Sequence, residues 1–179
     1  MLASPAMQFY DIRSPDGCWK DVDLNLVAPL FRVFVGNVIL KNLVKSKIRD
    51  ESIIAGGDLS DSLWIKPYTL TMDGHHYKGD RYSFPFLGGK LIDLGKRGDI
   101  GVTLAPVIRE DLELPNDREL IEKYELTNMW GEDDLCDRLC RYFDCGINRD
   151  DLKFEIFPGL WNDREMLRPL TRRLPVPLR

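Results

Sequence analysis

Residues 115–146, PNDRELIEKYELTNMWGEDDLCDRLCRYFDCG, hold the reading that decides the fold. Here the apolar spacing passes from the alternation of strands to the three-to-four repeat of helices. Pro115 precedes Asn116, and Glu119 follows three residues later, so a capping box opens a helix through PNDRELIEKYEL. A second helix follows, with Leu135, Cys136, Leu139, Cys140 and Phe143 on one face. Glu132, Asp133 and Asp134 fill its first turn, where carboxylates oppose the positive end of the helix dipole, and Gly146 ends it.

Before this stretch the pattern is that of strands. Residues 31–40, FRVFVGNVIL, are rich in β-branched and aromatic side chains and predict one strand, buried on both faces, with a bulge at Gly36. A hairpin at Gly36-Asn37 is disfavoured because it sets Arg32 opposite Lys41. SLWIKPYTLTM (62–72), DRYSFPFLGG (80–89), KLIDL (90–94) and DIGVTLAPVI (99–108) predict successive antiparallel strands, with Pro67 and Pro85 suited to edge positions. LKFEIF (152–157) alternates and predicts one late strand. The order implies an α+β fold: a mostly antiparallel sheet, helices packed on one face, and an Arg/Pro-rich C-terminal arm. Residues 1–23 read as an N-terminal segment, 24–163 as a single α+β domain, and 164–179 as the arm, whose prolines exclude a helix.

Composition narrows the function classes. Of 179 residues, 44% are hydrophobic and 30% charged, enough to bury a core. A formal charge of −4 gives no general attraction to nucleic acid or anionic membrane. The longest apolar region, 24–44, is interrupted by Pro29, Arg32, Asn37 and Lys41, and predicts core rather than a membrane span. No basic-then-apolar leader opens the chain, so a cytoplasmic or nuclear setting is expected. Cys18, Cys136, Cys140 and Cys145 are then reduced, and those of the second helix are expected in the core.

The catalytic constellations are weak. His75 and His76 lie in MDGHHYKGD (72–80), between turn-forming Asp73-Gly74 and Gly79-Asp80. Neighbouring strand residues point to opposite faces, so the pair reads as a hairpin tip and not a metal clamp. No GxSxG elbow is present, and the glycine pairs at 56–57 and 88–89 lack the spacing of phosphate loops. Asp58, Asp61, Asp93, Asp99 and Glu110 fall near strand ends, which leaves open a divalent-metal-dependent hydrolase or nuclease assisted by His75 or His76. No catalytic residue, metal ligand or cofactor is assigned.

Charge patterning says more. Residues 110–134 carry a strong excess of acids, and Glu119, Glu122, Glu125, Asp133 and Asp134 suggest an acidic helical face. The arm carries Arg164, Arg168, Arg172, Arg173 and Arg179. Opposed charges of this kind suit head-to-tail contact between copies. The expectation is therefore a non-enzymatic interaction or assembly protein, a homo-oligomer; by analogy alone, a small matrix-like or connector-like virion component fits such a chain. A module that binds RNA or an acidic membrane through the arginine arm is the third reading.

Overall fold

The computed structural model describes residues 6–15, 22–42, 62–68, 87–95 and 100–162. The His75–His76 tip, residues 80–86 of the strand expected over 80–89, Cys18, Asp58, Asp61, Asp99 and all five arm arginines lie outside the described residues. The fold is α+β, as the sequence implies, with two three-stranded sheets that are mostly antiparallel. The chain divides into two compact units, both discontinuous in sequence: residues 1–61 with 128–148, and residues 62–127 with 149–179.

In the first unit, β1 (Ala6–Tyr10) pairs antiparallel with β2 (Pro29–Val35), and β2 pairs parallel with β6 (Met129–Trp130). The sequence reading had no strand at Ala6–Tyr10, yet Phe9 sits opposite Phe31 with the two rings stacked at 5.0 Å. Along β2 the pleat buries Phe31, Val33 and Val35 and leaves Leu30, Arg32 and Phe34 half-buried.

The single strand expected over 31–40 stops at Val35. Gly36 donates its N–H to Trp130 O at 3.2 Å, its carbonyl accepts from Ile39 N at 3.0 Å, and the chain turns into α1 (Asn37–Asn42). This turn brings Ile39 into the same cluster as Phe31, Val33, Val35, Trp130 and Leu135, so tertiary burial overrides local strand preference. The 24–44 region is thus only partly core. It holds a short 3-10 turn at Leu24–Leu26 as well as β2 and α1, and Leu26 is 85% exposed. Among the described residues no helix is long and apolar enough to cross a membrane.

The helix α3 (Glu132–Cys145) forms where the sequence predicts it, and Gly146 ends it with φ 72°, donating its N–H to Tyr142 O. Its buried face differs from the expected stripe. Leu135, Arg138 and Arg141 are buried, whereas Cys136 is half-buried and Cys140 and Cys145 are exposed. The thiols are therefore not core thiols. The reason is that arginine takes an apolar place: the Arg138 guanidinium lies 3.8 Å from the Phe31 ring centroid and 5.2 Å from that of Trp130.

In the second unit, β3 (Leu63–Pro67), β4 (Gly89–Asp93) and β5 (Val107–Arg109) form an antiparallel sheet in that order. β3 stands at the end of the three-strand order, and its last residue, Pro67, lies opposite Gly89. A Cβ on Gly89 would stand 2.7 Å from Lys66 O, so this register requires glycine. Among the described residues of the strand expected over 99–108, only Val107 and Ile108 belong to a strand; Val102–Leu104 is a turn.

The core here gathers Ile65, Leu91, Ile121, Leu126, Leu152, Ile156, Phe157 and Leu160. α2 (Arg118–Lys123) supplies Ile121, but the expected capping box is absent. Asp117, not Asn116, precedes the helix, and its carboxylate accepts from Glu113 N at 3.0 Å and meets Arg109 Nε at 2.9 Å. The late strand expected at 152–157 is instead helix α4 (Asp151–Ile156), with Asp150 Oδ1 accepting from Leu152 N at 3.0 Å. The alternation of LKFEIF misleads because Leu152 through Ile156 are all buried, Lys153 and Glu155 included. Lys153 Nζ is satisfied there by Glu122 O at 3.1 Å.

Candidate functional site

The predicted interaction residues do not share one element. Glu119 and Glu122 are exposed on α2 and Glu125 follows it half-buried, in the second unit; Asp133 and Asp134 begin α3 in the first. Glu122 is held by Arg118 Nη1 at 3.0 Å, one turn earlier on the same helix. Of the acids considered for a divalent metal, Asp93 is engaged in a local turn, accepting from Gly95 N at 2.8 Å. Bonds from the Ser62 side chain and Gly95 N hold its carboxyl below the usual carboxylate range. Glu110 lies 3.3 Å from Lys90 Nζ. Among the described residues no three His, Cys, Asp or Glu side chains are grouped to hold a metal.

The second unit presents two features that the sequence reading missed. The first is the rim strand β5. All three of its residues are exposed, with Val107 at 39% and Ile108 at 55%, and Leu104 just before it is 83% exposed. Successive strand residues face opposite ways, so neither face of this strand is well covered. Exposed acids follow directly, at Glu110, Asp111 and Glu113. The chain leaves the strand through Asp111 with φ 45°, a left-handed conformation that aspartate tolerates better than most residues.

The second feature lies on the side of the β3–β4 ladder opposite the Ile65–Leu91 core. Lys66 stands in register with Lys90, next to the pair Trp64–Ile92. Lys66 Nζ donates to Val102 O at 3.1 Å, and Lys90 Nζ donates to Glu110 Oε2 at 3.3 Å. Tyr68, two residues beyond Lys66, donates its hydroxyl to Asp111. Its ring lies against Gly88, where an added Cβ would approach Cε2 to 3.3 Å. Burial, with the nearby Lys90 second, lowers the Lys66 pKa from its ordinary value. No motif announces this cluster, because strand register alone brings positions 66 and 90 together.

Burial first, and the Asp111 carboxylate second, push the Tyr68 phenol up to about 12. Because its folded pKa exceeds the unfolded one, the stabilisation from the protonated phenol is present below about pH 10 and is lost as pH rises toward the folded value. In a 13C-tyrosine NMR titration, the signal absent from Tyr68→Phe is expected to ionise at about pH 12. Ionisation of that signal at the ordinary tyrosine value would contradict the Tyr68–Asp111 bond.

A family model matches residues 1–162 of the chain. No curated protein and no solved structure matches it.

Proposed function

We propose a function from the premise that the chain belongs to the family described as Domain of unknown function (DUF8309): it is a non-enzymatic interaction protein that self-associates through an acid-rimmed sheet edge. The observation that carries this reading is β5, a rim strand exposed on both faces and preceded by the 83% exposed Leu104. Exposed apolar groups bordered by polar ones mark contact surfaces, and an open strand edge offers backbone groups for pairing. Glu110, Asp111 and Glu113 make this rim negative. The chemically matched partner within the same sequence is the arm that carries Arg168, Arg172 and Arg173, so the partner is a second copy. Long-range attraction of the arm brings the copies together, and apolar contact at Leu104 and Ile108 holds them.

Multi-angle light scattering over a concentration and salt series tests this. The full chain is expected to form higher species at low salt and to dissociate as salt screens the arm. Ile108→Glu, or removal of residues 164–179, is expected to weaken association at least about tenfold, the equivalent of one lost contact of about 1.4 kcal/mol. A chain that stays monomeric at low salt and high concentration overturns the reading. So does association indifferent to both changes.

A further inference from the structure

We propose that Lys66, set opposite Lys90 on the β3–β4 ladder with Tyr68 and Glu110 beside the pair, is an acyl-acceptor site that takes an acyl group from an acyl phosphate. Two ammonium groups directly opposite on one sheet face repel each other, and the strain is relieved when one sheds its proton. The surroundings decide which one does. Lys90 donates to the Glu110 carboxylate, whereas among the described residues Lys66 donates to the neutral carbonyl of Val102. Among the described residues, Asp111 is engaged with the Tyr68 hydroxyl and Arg109 with Asp117. The lowered Lys66 pKa, caused by burial and by Lys90, agrees with this division of roles.

A lysine set opposite a second lysine suits an anionic acyl donor, because the neighbouring ammonium attracts the donor while the deprotonated fraction of the amine attacks. Lys66 Nζ adds to the acyl carbon and forms a C–N bond. The C–O bond to phosphate breaks, and inorganic phosphate leaves with its electron pair. The surplus proton on nitrogen passes to water. The product is a neutral amide, formed without any oxidation or reduction, and the like-charge opposition at this register ends.

The test treats the folded full chain with acetyl phosphate near neutral pH and follows each lysine by peptide mass spectrometry. Lys41 and Lys123, both exposed, serve as internal references. Lys66 is expected to acetylate at least about fivefold faster than either, as a lysine beside a second cation does. Lys90→Met removes the neighbouring charge and is expected to slow Lys66, Lys90→Arg to preserve its rate, and Glu110→Gln to raise it. Lys66 reacting no faster than the references overturns the proposal, as does a Lys90→Met rate at or above the original. Should Lys90→Met fail to fold, the preserved rate expected of Lys90→Arg and the raised rate expected of Glu110→Gln decide; slowing in both refutes the site.

Discussion

Ile65→Ala is expected to lower the unfolding free energy by about 3–4 kcal/mol, read from urea midpoints at unchanged slope. Ile65 is fully buried and faces Leu91 across the ladder within the largest apolar cluster of its unit. It also ties that ladder to a second segment. Its N–H donates to Glu125 O at 2.9 Å, and its carbonyl accepts from Thr127 N at 2.9 Å, a parallel bridge flanking Leu126. Truncation removes three side-chain carbons from a site that backbone bonds hold on two sides, so the cavity cannot collapse readily. Ile65→Val, which removes one methylene, is expected to cost about 1 kcal/mol. Equal losses for valine and alanine would show that the backbone bridge, and not side-chain packing, governs this position.

Arg138→Lys is expected to cost about 2–3 kcal/mol, although it keeps the positive charge. Arg138 is 3% exposed, with its guanidinium over the Phe31 ring and beside Trp130. Its Nε donates to Asn148 Oδ1 at 2.9 Å, and Asn148 Nδ2 in turn donates to Leu30 O at 3.1 Å. Lysine has no planar group to lie flat on the ring and no nitrogen at the ε position of arginine to reach Asn148. The ammonium would then be buried with poorer partners, and Asn148 would lose the donor that orients it. A variant as stable as the parent would mean that charge, and not shape, is what this position needs. Arg138→Met, of similar length and apolar, is expected to fall between the two.

Much of the architecture was legible. The spacing of Leu135, Leu139 and Phe143 and the glycine at 146 located α3, because a left-handed stop and a helical repeat are local properties. The strand β2 was legible, but not its sidedness: the run of apolar residues implies burial on both faces, whereas the pleat buries Phe31, Val33 and Val35 and leaves the other side half-buried. Failures came where burial removed the contrast on which periodicity depends. In α4, Lys153 and Glu155 are as buried as Leu152 and Ile156, so polar and apolar letters no longer distinguish inside from outside. At Gly36 the turn into α1 depends on Trp130, a residue far along the chain, and no local window contains it.

The candidate sites were less legible than the fold. The acids at Glu119, Glu122, Asp133 and Asp134 were visible as a run, but linear charge does not say that α2 and α3 belong to different units. The Lys66–Lys90 opposition needs the register of β3 on β4, and the exposure of Val107 and Ile108 needs the order of the sheet. Both are set by pairing between distant segments. Hydropathy alone would have counted Val107 and Ile108 as interior.

The interleaving of the two units has a consequence for synthesis on the ribosome. Phe34 has its antiparallel partner, Ala6, early, but Met129, its parallel partner, emerges only after most of the other unit has been translated. Ile65 waits comparably long for Leu152 and Leu160. Long loops close slowly, so a nascent chain displays half-finished sheets while elongation continues. For the same reason no single cut in the gene releases either unit whole: a fragment ending at residue 127 lacks β6 and α3 from one core and α4 from the other.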